Sequence, residues 1–234
     1  MSSLDKYKRV KVLVGVPSLT REWHEKFAMS LLYLMTHWQE TRMGNFREET
    51  VKVASVRGSI LSNVRLDLVK EAIRLESSHL LLVDTDQTFP KDTLHRLMAA
   101  DKDVIACNIA TKQIPAQPTA RYFNPNNLHS GDRVYNNPRK GVEEVWRVGC
   151  GVMLIRMKVF EKTGLDVWGM PWQPEAQKYQ GEDWTFVAAC QEAGIKTFID
   201  HVLSEEVKHI GDYAYDHNVV GDVQLEPIIE VANG

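Results

Sequence analysis

Cysteine is scarce in this chain, with three residues in 234, at positions 107, 150 and 190. The number is odd, no two form a CxxC pair, and none stands near histidines at zinc-finger spacing, which argues against a disulfide scaffold or a zinc module. Cys107, Cys150 and Cys190 read instead as reduced thiols of a cytosolic protein. Long apolar runs are missing as well. None approaches the roughly 18 residues of a membrane-spanning helix, and the opening MSSLDKYKRVKVLVGV has neither the apolar core nor the small-residue cleavage site of a secretory leader. The expectation is a soluble protein of the cytoplasm with no integral membrane association. Charge of one sign is also lacking: the formal net charge is −3, so no global field draws the chain to nucleic acid or an anionic membrane. There is no internal repeat, heptad pattern or low-complexity tract.

What is present is an ordinary globular composition, 44% hydrophobic and 25% charged, in a chain long enough for one sizeable core. The run VKVLVGV from Val10 to Val16 reads as a buried parallel strand ending at Pro17 and Ser18. Between Glu22 and Trp38, the residues Phe27, Leu31, Leu34, Met35 and Trp38 recur at helical spacing on one face. A strand from Val51 to Val56 follows, then a helix with Leu61, Val64, Leu68, Ala72 and Leu75 inward, and a third strand, Leu80 to Val83. A short helix from Asp92 to Ala100 and a strand from Val104 to Cys107 complete a βαβαβαβ alternation. That pattern implies a doubly wound parallel sheet with ligands at the carboxyl ends of its strands.

Beyond Asn108 the character changes, with Pro115, Pro118, Pro125 and Pro138 scattered among Asn and Gly. Order resumes at Val142 to Val148, at Val152 to Ile155 after Gly149-Cys150-Gly151, and at a helix from Lys158 to Thr163. A second irregular stretch from Trp168 to Gln180 leads into Gly181-Glu182-Asp183, a helix to Ala193, a strand from Thr197 to Ile199, and a tail containing His209. The expected organisation is one domain over 1–234: a first half over about 8–110, a second over about 111–215, and a tail over about 216–234.

Three acidic or imidazole features carry chemistry. Asp84-Thr85-Asp86 follows the apolar run LLLV, so two carboxylates at i and i+2 leave the end of a buried strand together, where hard oxygens suit Mg²⁺ or Mn²⁺. The plain structural alternative is that one aspartate caps the next helix. Glu182-Asp183 opens a helix, where the N-terminal dipole favours negative charge, and Gly-Glu-Asp is also ordinary capping chemistry. His209 in VKHIG stands just past the last strand, as a further ligand or as a structural histidine.

The order of these features resembles the GT-A glycosyltransferases, in particular the compact family-2-like members of bacteria and bacteriophages. The phrases that carry the resemblance are HLLLVDTDQTFPKDTLHRL, VGCGVMLIRMKVFEKTG, and GEDWTF followed by KHIG. The resemblance spans about Val10 to His209 and implies that the half over about 8–110 binds the nucleotide and the half over about 111–215 lies on the acceptor side. It implies a Rossmann-like α/β fold, a mixed, mostly parallel sheet flanked by helices, with loop-rich insertions on the acceptor side. It further implies that Pro17, Ser18 and Thr20 receive the nucleotide base, that Arg65 and Arg57 face the nucleotide, and that Asp84 contacts the ribose or a metal-bound water. Asp86 and His209, with Asp84, would surround a Mn²⁺ or Mg²⁺ cofactor, and Asp183 would be the catalytic base with Glu182 orienting hydroxyls. Gly151, Trp168, Trp172 and Trp184 would touch the sugar or acceptor, the aromatics as stacking faces or else as core. The implied partner is a nucleotide sugar, a UDP-sugar above all. A glycan, a protein or a hydroxymethylated DNA base all stay open as acceptor, as do inversion and retention. A phage relative would work in the host cytoplasm.

Two other enzyme classes use similar residues. Asp84 to Thr88 also fits the DxDxT of haloacid-dehalogenase-type phosphatases, but that motif normally sits on the first strand, and here two βα units precede it. A nucleotidyltransferase could hold metal on the same aspartates, yet the first loop GVPSLTREW lacks a Gly-rich phosphate cradle. A chain that only binds a nucleotide sugar or glycan would keep the pocket and dispense with the base.

Overall fold

The computed structural model describes residues 10–20, 22–41, 49–127, 130–211, 214–217 and 220, so the expected tail lies almost wholly outside the described residues. In chain order, β1 (Val10–Ser18), α1 (Glu25–Glu40), β2 (Glu49–Arg57), α2 (Leu61–Arg74) and β3 (His79–Val83) alternate as the sequence predicts. The two-residue β4 (Gln87–Thr88), α3 (Thr93–Ala99) and β5 (Val104–Ala106) follow. The Pro- and Asn-rich stretch holds β6 (Arg121–Tyr122), β7 (Asp132–Arg133) and a 3-10 turn at Pro138–Lys140 before β8 (Val142–Val145), β9 (Val152–Arg156) and α4 (Lys158–Thr163). Then come a small hairpin, β10 (Trp172–Gln173) with β11 (Lys178–Tyr179), and α5 (Glu182–Glu192). The chain continues through β12 (Thr197–Asp200), α6 (His201–Glu206), β13 (Lys208–Ile210) and β14 (Ala214–Tyr215).

Seven strands form the central sheet in the order β2-β1-β3-β9-β5-β12-β8. β1 pairs in parallel with β2 and β3, and β12 in parallel with β5. The sheet is not parallel throughout, and this corrects the simple doubly wound picture. β9 runs antiparallel to both β3 and β5, and β8 antiparallel to β12. The cause is topological: Gly149-Cys150-Gly151 delivers the chain into the gap at the carboxyl end of β3, where Val152 pairs with Val83. The α/β class, with a mixed, mostly parallel sheet flanked by helices, is the one expected.

β3 shows why its sequence is uniformly apolar. Successive side chains of a strand point to opposite faces. Leu81 and Val83 enter one core with Phe27, Leu31, Leu34 and Trp38 of α1, while Leu80 and Leu82 enter the other with Val64 and Leu68 of α2 and Phe186 of α5. Leu80, Leu81, Leu82 and Val83 are all fully buried, as a strand covered by helices on both faces must be.

The region past β12 holds more structure than a plain tail. α6 starts at Asp200, whose carboxylate accepts the Leu203 N–H at 2.9 Å. β13 then returns to pair antiparallel with β4, His209 opposite Gln87, and the Ile210 N–H donates to the Asp86 carbonyl at 2.7 Å. A three-stranded sheet, β14-β13-β4, thus clips this late segment onto the loop that follows β3. Among the described residues, no helix is long and apolar enough to cross a membrane.

Candidate active site

The loop after β3 is a turn in which the Gln87 N–H donates to the Asp84 carbonyl at 3.1 Å, while the Asp84 N–H donates to the Gly151 carbonyl at 2.9 Å. Both aspartate side chains are thereby left to the crevice above the sheet. Neither caps a helix: the N-cap of α3 is Asp92, without a side-chain capping bond. The glycine turn before β9 closes over this floor. A Cβ on Gly151 would lie 2.7 Å from Ile109 Cδ1 and 3.4 Å from Asp84 Oδ2, so only glycine lets the backbone approach this closely without a shift. On its other side, the position of a Cβ on Gly149 is 3.4 Å from Asp183 Oδ2. The turn therefore joins the two acidic motifs.

Arg65 lies beneath both. Its guanidinium donates through Nε to Glu182 Oε1 at 3.1 Å and through Nη2 to Asp84 Oδ1 at 3.3 Å, with only 2% of its side chain exposed. Burial alone would lower its pKa, but the surrounding carboxylates, Asp84 foremost, raise it above its ordinary value. The resemblance places Arg65 facing the nucleotide; the structure places it below the crevice as the bridge between two acidic residues. It sits on the inner face of α2 beside Val64, Leu68 and Val69, an apolar stripe that gives no hint of a buried cation.

Glu182 and Asp183 are consecutive on α5, so their side chains diverge by about 100° around the helix. Glu182 turns inward to Arg65. Asp183 faces the glycine turn, and its Oδ1 accepts the Trp184 N–H at 2.7 Å. Burial and the neighbouring Glu182 push the Asp183 carboxyl up to about 6, against the pull of Arg65. Burial likewise raises Asp84 above the usual carboxylate range, Asp86 and Glu182 adding to the effect, although 30% of its side chain stays open to the crevice mouth.

Asp86 is in the opposite condition. Burial alone would raise it, but hydrogen bonds from His209 and Lys112 hold it well below the usual carboxylate range. Its Oδ2 meets His209 Nε2 at 3.3 Å and Lys112 Nζ at 2.6 Å, and its Oδ1 accepts from Gln87 Nε2 at 3.3 Å. The pairing of β13 with β4 is what brings His209 here. His209 Nδ1 lies 2.9 Å from the Ala110 carbonyl, which can only accept, so Nδ1 carries a proton and Nε2 is the nitrogen turned to Asp86, able to donate to it when protonated or to ligate a cation when not. At 3.3 Å, Nε2 and the carboxylate oxygen are joined by a proton, or by a cation in its place. The pair therefore fits a divalent cation: one carboxylate, one imidazole oriented by a backbone carbonyl, and further positions for phosphate oxygens. Asp84 is held by Arg65 instead, and among the described residues no three His, Cys, Asp or Glu side chains converge as a complete metal cage.

The remaining expected residues divide. Pro17 and Ser18 end β1 beside Arg57 at the end of β2, and Ser18 Oγ donates to the Thr20 carbonyl at 2.6 Å. β1 is the immediate neighbour of β3 and β2 the strand beyond it, so Ser18 stands roughly 5 Å and Arg57 roughly 10 Å from β3 at the usual strand spacing. Trp168 is not at the crevice surface. It is 2% exposed and stacked on Phe186 with ring centroids 4.5 Å apart, a core residue behind Arg65. Trp172 is 51% exposed on the hairpin that precedes α5, edge-on to Tyr179. Trp184 stacks against the guanidinium of Arg147, which also lies over Trp146.

Lys112 and Gln87 join the site without a sequence role: Gln87 fills the second variable position of the DxDxT, and Lys112 lies in the polar stretch TKQIP, whose one signal is its place past the carboxyl end of β5.

No protein-family model and no curated protein matches the chain. Among solved structures, a crystal structure of A197 from STIV superposes with a TM-score of 0.55 at 14% identity, covering 92% of this chain and 99% of that one. A Drosophila β-1,4-galactosyltransferase 7 mutant, in complex with manganese, UDP-Gal and xylobiose, superposes with a TM-score of 0.48 at 14% identity, over 86% of this chain and 71% of that one. The second superposition is too loose to bear on function, and the first, at that identity, speaks to the fold alone: this chain shares the overall α/β architecture of A197.

Proposed function

We propose that this chain is a metal-dependent glycosyltransferase that moves a sugar from a nucleoside diphosphate donor, UDP-linked by our reading, to an acceptor hydroxyl. The observation that carries it is the meeting of Asp86 with Nε2 of His209 at the carboxyl end of β3, with Asp183 entering the same crevice from α5. Asp86 and His209 would hold Mn²⁺ or Mg²⁺, which when bound stabilises negative charge on the leaving diphosphate.

The chain's own residues account for the rest. The acceptor oxygen attacks the anomeric carbon as the bond from that carbon to the diphosphate oxygen breaks, the electron pair leaving with the nucleotide. The acceptor's proton passes to a carboxylate oxygen of Asp183, whose pKa of about 6 leaves it ionised at neutral pH yet basic enough to share the proton in the transition state. Arg65 fixes Asp84 and Glu182, and so the spacing of β3 and α5. Ser18, Thr20 and Arg57 form the edge on which the base and ribose would lie. The exposed Trp172 and Tyr179 offer apolar faces to a sugar and help exclude water that would hydrolyse the donor.

UDP with Mn²⁺ is expected to raise the melting temperature of the chain, because a ligand that binds only the native state stabilises it by mass action. Asp86→Ala and His209→Ala should each remove that rise while leaving the unliganded chain folded, as both side chains lie at the crevice and outside the two cores. Differential scanning fluorimetry with and without chelator checks this. Stabilisation by UDP that persists in excess chelator, or in Asp86→Ala, would exclude the metal pair.

A further inference from the structure

Lys112 occupies an unusual place. Its ammonium lies 2.6 Å from Oδ2 of Asp86, the same oxygen that His209 Nε2 approaches at 3.3 Å. Any cation that took both Asp86 and His209 as ligands would need this oxygen, so Lys112 and the metal compete for one lone-pair region. The backbone around Lys112 is held. The Thr111 N–H donates to the Gln117 carbonyl at 2.8 Å, the Gln117 N–H donates back to Thr111 Oγ1 at 2.9 Å, and the Ala110 carbonyl receives His209. The side chain is not: it is 37% exposed on a four-carbon stem that can swing without moving the loop. Arg65, by contrast, is committed to a buried bridge.

We propose that Lys112 is an exchangeable counter-ion, which neutralises Asp86 while the site lacks metal and moves to the diphosphate oxygens when metal and nucleotide arrive together. The inference rests on the metal-dependent reading and assigns to this side chain a coupling of the two ligands. Metal alone must displace an ammonium from Asp86 and leave it beside a second cation with no anion to receive it. Metal arriving with a diphosphate supplies that anion. Removing Lys112 therefore acts in opposite directions on the two ligands, whereas a lysine that merely shaped the loop would, when lost, weaken both.

The test measures Mn²⁺ binding by the electron paramagnetic resonance signal of free Mn²⁺, and UDP binding in saturating Mn²⁺ by calorimetry, for the full chain and its Lys112→Met and Lys112→Arg variants. In the unsubstituted chain, Mn²⁺ alone should bind weakly and UDP should tighten it by a factor in the usual coupling range of about 5 to 150. Lys112→Met should bind Mn²⁺ alone several-fold more tightly and UDP several-fold more weakly, so that the coupling collapses, and Lys112→Arg should restore much of it. Mn²⁺ affinity that is unchanged or weaker in Lys112→Met, or unchanged UDP affinity, overturns the exchange. Should the unsubstituted chain bind no Mn²⁺ even with UDP, the metal-dependent reading itself fails, and the exchange with it.

Discussion

Arg65→Met is expected to destabilise the protein by about 3–5 kcal/mol, the usual cost of removing one partner from a buried ion pair. For a chain of this size that is a fall of roughly 6–20 °C in melting temperature, at about 2–4 °C per kcal/mol. The guanidinium is 2% exposed and serves two carboxylates at once, so its loss leaves Asp84 and Glu182 desolvated, uncompensated and close to Asp183. Lysine should not substitute, because one ammonium cannot reproduce the fork that reaches both α5 and the end of β3. Adding Glu182→Gln to Arg65→Met should recover part of the loss, since the two residues are coupled. The deficit should also depend on pH. Without Arg65 the Asp84 carboxyl, already raised by burial, rises further, and a raised carboxylate contributes stability at low pH that is lost as pH rises through the folded value. The variant should therefore be least impaired under acidic conditions. Thermal melts at several pH values check this. An unchanged melting temperature with impaired UDP binding would return Arg65 to the nucleotide-facing role that the family resemblance implies.

Asp183→Asn is expected to lower turnover by about 10² to 10⁴, the usual contribution of a positioned general base, while stabilisation by UDP and Mn²⁺ persists. The substitution keeps the shape of the side chain and can still accept the Trp184 N–H through its amide oxygen, so the start of α5 should hold. In the unsubstituted chain, the rate should fall as pH drops through about 6 and the base becomes protonated. Stability should run the other way. The folded-state pKa is raised by burial, so this group's contribution is complete at pH values below its unfolded range and is lost as pH rises through about 6. Asp183→Asn should accordingly be more stable than the unsubstituted chain at pH 8, by on the order of 1–3 kcal/mol after allowance for partial solvation. A fully active Asp183→Asn would move the base to Glu182 or point to a retaining mechanism. Loss of donor binding in Asp183→Asn and Glu182→Gln alike would make the acidic pair part of the donor pocket.

Much of this architecture is legible locally. A strand buried on both faces needs an unbroken apolar run, so HLLLV marks β3 and places Asp84 and Asp86 at its carboxyl end. Helical periodicity marks α1, α2 and α5, and the acidic pair that opens α5 could be named as chemistry without coordinates. The aromatic stretch was less readable, because a tryptophan near a lid and a tryptophan in a core have the same local context. Trp168 packs on Phe186 whereas Trp172 stays exposed, and the difference depends on where α5 lies.

The long strands and helices from β1 to α5, their alternation, and the residue types able to bind metal or take a proton follow from side-chain period and from the composition of short segments. Only the tertiary structure decided which of them meet. The antiparallel insertion of β9 sets the glycine turn between Asp84 and Asp183. The pairing of β13 with β4 turns a lone histidine into the partner of Asp86. Arg65, on an otherwise apolar face, is the bridge beneath two carboxylates, and Lys112 is their counterpart above Asp86. These are contacts between residues far apart in the chain. They are fixed by sheet register and by the need to neutralise buried charge, and neither leaves a periodic trace in the sequence.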